Sequence, residues 1–316
     1  MATAAACHFS LMPRRSAQWW SHTSLLPSPS PKSFRHLESR RSKQLGLQWK
    51  AMANVPPIQK INLVDEDDDE ACELVNGTEL LIGEHEDSIR ASLFKAVKNN
   101  NGAGLLLLSD IFGFEDPSTR DFAYRIACNG YNVLVPDLFH GNPWKDGQPT
   151  DEFEHWLARQ QPERVANDIE LSAKWFIDEF DAAGVSKKLG LVGFCFGGGC
   201  LIETLAKDQN SYFATGVCFY GTRINTSFAQ NINVPVLFIC GDNDPLSPTG
   251  VMLEMEKNMK GSSTVIYSGR HHGFAHRPES EEEDRDAEDS FSVMRNWLHE
   301  CLLLNLDTAD ELSSVE

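Results

Sequence analysis

The 316-residue sequence predicts an α/β fold, a mostly parallel sheet with helices on both faces. Two observations carry this reading. Short apolar runs of strand length alternate with amphipathic stretches of helical period, the pattern of strands joined by helical crossovers. Glycine-rich turns follow several of those runs, at the strand ends where open sheets of this class build their sites. No internal repeat is visible. No run approaches the roughly 20 apolar residues that a membrane-spanning helix needs, so a soluble protein with no membrane partner is expected.

Taken in order, Leu105 to Ser109 is a buried strand. Asp116 is placed to cap a helix with Pro117 in its first turn, Phe122, Ala123, Ile126 and Ala127 on its inner face, and Gly130 at its end. Val133 to Val135 forms the next strand. A long connection, Leu138 to about Pro162, carries Gly141, Pro143, Trp144, Gly147 and Pro149; loops of that length are commonly functional, which makes it a candidate lid or substrate wall. Val165, Ile169, Phe176 and Phe180 then recur at helical spacing up to Gly184. Further strands are expected at Leu189 to Val192, Gly216 to Phe219, Val234 to Cys240 and Thr264 to Tyr267, before a last helix bearing Phe291, Met294, Leu298 and Cys301.

The flanks differ from this core. Of the 28 Lys and Arg residues, eight fall within residues 1–50, where Glu38 is the one acid. The remaining chain therefore carries 20 basic against 45 acidic residues, which excludes the positive surface that nucleic acid needs. Scattered Arg, abundant Ser and scarce acid over residues 1–55 are the pattern of an organellar transit peptide, with chloroplast preferred and mitochondrion or an untargeted cytosolic tail as alternatives. Residues 56–71, with the acid run Asp65 to Glu70, are read as a solvated linker, residues 72–304 as the folded domain, and residues 305–316 as an acidic tail. The eight cysteines show no CxxC spacing and sit largely in apolar segments, as Cys218 and Cys240 do, so neither a disulfide framework nor a metal site is expected.

The sharpest signal is Gly193-Phe194-Cys195-Phe196-Gly197-Gly198-Gly199, between the strand ending at Val192 and a helix expected from about Gly198 to Lys207. It has the form of a nucleophile elbow with Cys in place of Ser, in which a tight strand-to-helix turn strains the nucleophile and leaves room only for glycine two residues to either side. The helix that starts there directs its free N–H groups at the sulfur, which favours thiolate. A phosphate loop is the rival reading, but the run lacks both the Lys-Ser/Thr ending and the GxGxxG spacing. A purely structural turn is the other. Cys200, five residues on, reads as a packed core thiol.

A nucleophile of this kind draws an acid and then a histidine from later loops. Gly241-Asp242-Asn243-Asp244-Pro245 follows one strand, and Asp244 is the expected acid, with Asp242 shaping the turn through its own backbone. Gly269-Arg270-His271-His272-Gly273-Phe274 follows the next; His272 is the expected base, with His271 and His276 as loop or rim residues. The oxyanion donors are expected to be the backbone N–H groups of Phe196 and of Ile111, the latter in Ser109-Asp110-Ile111-Phe112-Gly113.

Asp110-Ile111-Phe112-Gly113, Val135-Pro136-Asp137-Leu138, the Cys195 elbow, the Gly-x-x-Asp at 241 to 244 and His272-Gly273-Phe274 together resemble the dienelactone hydrolase (carboxymethylenebutenolidase) family over roughly residues 72–304. The resemblance implies an α/β-hydrolase fold and a hydrolase that opens an ester or lactone through an acyl-enzyme on Cys195, with His272 and Asp244 completing the triad, no metal or organic cofactor, and a small-molecule substrate. It also implies a supporting role for Asp110, which stands where the bacterial enzyme has Glu. That enzyme clamps a substrate carboxylate with two arginines; Arg277 lies one residue beyond the expected place, and Arg277 and Trp144 are the candidate substrate contacts. A monomer is expected. A thioesterase or acyltransferase, and a noncatalytic ligand-binding protein of the same fold, are the competing functions.

Overall fold

The computed structural model describes residues 75–84, 88–184 and 189–304; the expected transit segment, acidic linker and tail lie outside the described residues. Eight strands form one sheet: β1 (Val75–Ile82), β2 (Ile89–Ala96), β3 (Gly104–Leu108), β4 (Asn132–Pro136), β5 (Leu189–Phe194), β6 (Phe213–Phe219), β7 (Val236–Gly241) and β8 (Ser263–Tyr267). Their order in space is β1-β2-β4-β3-β5-β6-β7-β8. The first two pairings, β1 with β2 and β2 with β4, are antiparallel, and every other is parallel.

Strand alternation divides the interior into two apolar cores. Leu105, Leu107, Val133, Val135, Val192 and Phe194 point to one face, where α1 (Pro117–Cys128) and α6 (Glu281–His299) cover them with Phe122, Ile126, Phe291 and Met294. Leu106, Leu108, Leu134 and Leu191 point to the other, beneath α3 (Pro162–Ala182), α4 (Phe196–Lys207) and α5 (Thr249–Asn258). The central strands are buried on both sides, which is why they read as unbroken apolar runs rather than as alternation.

Local signals act as expected in several places. The Asp116 carboxylate accepts the N–H of Thr119 at 3.1 Å, with Pro117 opening α1. The acidic first turn of α6 lies at its positive dipole end behind the Ser280 cap. The long connection is not structureless: a 3-10 turn at Thr150–Glu152 leads into a short helix α2 (Phe153–Ala158). Cys301 falls just past α6, in a π-helical turn over Glu300–Leu304. No helix among the described residues is long and apolar enough to cross a membrane.

Candidate active site

Between β5 and α4 stands a single residue, Cys195, with φ 50° and ψ −111°. A residue with a Cβ is strained there, and such strain persists only where the surroundings enforce it. They do so here through backbone packed against backbone. A Cβ on Gly193 would lie 2.5 Å from the Gly197 carbonyl oxygen, and one on Gly197 would lie 2.4 Å from that of Leu108. The Cys195 carbonyl accepts the N–H groups of Gly199 at 3.2 Å and Thr222 at 3.0 Å, and its own N–H donates to Phe219 at 3.1 Å. The helix begins at Phe196, two residues earlier than expected, so the turn is tighter than the glycine run suggests.

Asp244 follows β7 and has a side chain with 0% exposure. Its Oδ1 accepts the N–H groups of Leu246 at 2.9 Å and Ser247 at 3.3 Å, which leaves Oδ2 to meet Nδ1 of His272 at 2.7 Å. The loop carrying His272 after β8 is pinned beside it. Asp242 accepts the Gly269 N–H at 2.5 Å and the Ser268 hydroxyl at 3.1 Å, and the Asn243 N–H donates to Arg270 at 3.2 Å. Asp242 thus holds the neighbouring loop rather than only its own turn, because the two parallel strands end side by side. Arg270 anchors the same loop to Asp286 on α6. His271 is exposed against Asn243.

The His272 Nε2 is buried and has no hydrogen-bond partner among the described residues. Burial lowers the proton affinity of the imidazole; the charge of Cys195 and the Asp244 hydrogen bond outweigh that and raise its pKa to about 10. Burial pushes the thiols of Cys200, Cys218 and Cys240 up to about 12.

Beside the elbow, the loop after β3 is shaped by Asp110, whose Oδ1 accepts the Phe112 N–H at 2.9 Å. No backbone or side-chain acceptor among the described residues takes the Ile111 N–H. The Phe196 N–H, at the first position of α4, is one of the helix's free donors. The Asp110 Oδ2 is engaged by Arg277 at 2.8 Å and lies 3.3 Å from Nε2 of His276. Burial raises the Asp110 pKa, but His276 and Arg277 more than offset it and hold the carboxyl below its usual range.

His276 and Arg277 take positions that their loop setting does not announce. His276 is not a rim residue: its side chain is 1% exposed, it stacks on Phe194, and its Nδ1 is hydrogen-bonded to the Tyr220 hydroxyl. The chain ends that follow β3, β6 and β8 close around it, which no local pattern announces. Burial lowers its pKa, outweighing the opposite pull of Asp110. Arg277, expected to meet substrate, is held by Asp110 and by Asp116 at 2.9 Å, with its guanidinium over the Phe112 ring.

Trp144 is 9% exposed, clustered with Phe139, Phe153 and Trp156, and its backbone N–H donates to the Ile111 carbonyl at 2.8 Å. It therefore braces the loop after β3 against the long connection. Arg164 fastens the same connection to α3 through Asp168 and the Leu138 carbonyl. A cavity of about 400 Å3 lies on α4 between Phe196, Cys200, Leu157 and Val165, and its lining does not include Cys195, Asp244 or His272. Among the described residues no group of three or more His, Cys, Asp or Glu side chains is placed to hold a metal ion.

The strand order, the strained residue between β5 and α4, and an acid and a histidine after β7 and β8 define a protein of the α/β-hydrolase fold. Residues 89–302 match the profile of the dienelactone hydrolase family, and the chain belongs to that family. It is accordingly a hydrolase of the kind that acts on esters or lactones. A human carboxymethylenebutenolidase homolog is 32% identical over 182 residues, covering 56% of this chain and 72% of that protein. The Xenopus tropicalis homolog is 29% identical over 222 residues, covering 67% and 87%. A solved dienelactone hydrolase from Anabaena variabilis shares the fold with a TM-score of 0.56 at 17% identity, over 72% of this chain and 99% of that one.

Proposed function

We propose that this hydrolase cleaves a carboxylic ester or lactone by transferring the acyl group to Cys195, with His272 as base and Asp244 as the group that orients it. One observation carries the reading: a buried imidazole has Asp244 on Nδ1 and an unpartnered Nε2, and the strained residue of the elbow, Cys195, acts on its proton affinity. The Cys195 thiolate attacks the carbonyl carbon, a C–S bond forms, and the displaced electron pair on oxygen is received by the N–H groups of Ile111 and Phe196. Each such donor is worth roughly 3 kcal/mol of barrier. Collapse of the intermediate breaks the C–O bond, and the leaving alkoxide takes a proton from Nε2 of His272. Water, deprotonated by the same nitrogen, then attacks the thioester, releases the acid and returns the thiolate.

Asp110 and Asp116 already occupy Arg277, so a substrate carboxylate would have to displace them, and the reading favours an uncharged ester or lactone. The test is iodoacetamide at neutral pH. Cys195 is expected to be alkylated ahead of Cys200, Cys218 and Cys240, with loss of p-nitrophenyl ester turnover in step. Equal labelling with turnover retained would reject the mechanism.

A further inference from the structure

We propose that His276 couples the oxyanion loop to the triad base, its Nε2 edge facing Asp110 and its Nδ1 edge holding Tyr220. The proposal rests on the Cys195–His272–Asp244 reading and adds a positioning residue to it. The Nε2 nitrogen lies 3.3 Å from the Asp110 carboxylate, outside hydrogen-bond geometry but near enough for the carboxylate to favour a proton there, which leaves Nδ1 to accept the Tyr220 hydroxyl proton. Burial raises the Tyr220 pKa well above its ordinary range and keeps that proton in place.

Each arm ends at a different part of the chemistry. On one side Asp110, bonded to Arg277 and faced by His276, holds the Phe112 N–H and so sets the turn that presents Ile111. On the other, the Tyr220 ring stands edge-on to the His272 imidazole with centroids 5.0 Å apart. Tyr220 takes a strained φ of 36°, and its neighbour Phe219 accepts the Cys195 N–H. Such strain in a buried residue persists only where its side chain is held, and the bond to His276 holds it. The groups facing His276 are Asp110 from the loop after β3, Tyr220 from the end of β6, Arg277 beside it and, beyond Arg277, Asp116.

Amide side chains separate the two arms. Gln at 276 carries a donor where Nε2 lies and can keep Asp110; Asn carries an acceptor where Nδ1 lies and can keep Tyr220. Two rates report them separately. Alkylation of Cys195 by iodoacetamide expels iodide and makes no oxyanion, so its pH profile sees only the thiol and His272. Turnover of p-nitrophenyl acetate sees both arms. His276→Asn is expected to lower kcat about tenfold or more, with KM within about twofold and the alkylation profile of the wild type. His276→Gln and Tyr220→Phe are expected to shift that profile as well.

Folding is checked by Tm and near-UV circular dichroism. If the position 276 variants do not fold, Asp110→Asn and Tyr220→Phe make the same separation. The proposal is overturned if folded His276→Asn and His276→Gln both keep wild-type kcat, or if loss of the Asp110 arm moves the alkylation profile as far as Tyr220→Phe does. Turnover by fully alkylated wild-type protein would instead overturn the triad itself.

Discussion

Asp244 and His272 meet at 2.7 Å although 28 residues separate them, because β7 and β8 are adjacent parallel strands whose following loops are bonded to one another. The carboxylate reaches the imidazole with one oxygen while two backbone N–H groups hold the other. Nδ1 of His272 is thereby committed to Asp244, which leaves Nε2 as the free ring nitrogen.

Asp244→Asn retains the size and the backbone contacts but presents the imidazole with a weaker or inverted partner. The expected result is a loss of roughly a thousandfold or more in kcat, with KM little changed and the fold intact. Steady-state kinetics with a circular dichroism control measure it.

The His272 pKa, raised from 6.5 to about 10, fixes the sign of a pH effect. A group bound more tightly to its proton in the folded state contributes stability that is fully present below pH 6.5 and is lost as pH rises through about 10. His272→Ala is therefore expected to flatten the fall in stability across that window, read as ΔG of unfolding by urea at several pH values. A slope unchanged by the substitution would show that other groups set it.

The elbow stores backbone strain at Cys195. Cys195→Gly removes the penalty at φ 50° and is expected to raise stability by about 1 kcal/mol while abolishing turnover. Gly197→Ala does the reverse kind of damage, since its Cβ would meet the Leu108 carbonyl at 2.4 Å, and a loss of about 1–3 kcal/mol is expected. Thermal melts of both variants measure the contrast.

Residues 1–55 are proposed to direct import into an organelle, on their basic, Ser-rich and acid-poor composition. Fused to a fluorescent protein, they are expected to send it to chloroplasts in plant cells; diffuse cytosolic signal would reject the targeting.

The site was legible where its chemistry is written in local spacing. The glycines at 193 and 197 mark the elbow, and Asp244 and His272 each follow an apolar strand directly. The central strands were legible because they are buried on both faces. The β1–β2 hairpin was not, since β1 lies at the edge of the sheet with mixed burial along its length and shows no clean period. His276 was missed for a different reason: it lies in a polar loop before Arg277, and its partners Asp110 and Tyr220 come from the ends of other strands. The one local hint was its place directly after the buried pair Phe274 and Ala275. Arg277 likewise has its carboxylate partner 167 positions away, a distance at which sequence spacing carries no information.

The central claim is that a covalent acyl group passes through the sulfur at 195. Rapid acid quench after mixing with a p-nitrophenyl ester, followed by intact mass and peptide mapping, measures it directly. The expected result is a mass increase equal to one acyl group on the peptide containing Cys195, absent from Cys195→Ala and prolonged in His272→Ala; full turnover by Cys195→Ala, with no adduct on that peptide in the wild type, would contradict it.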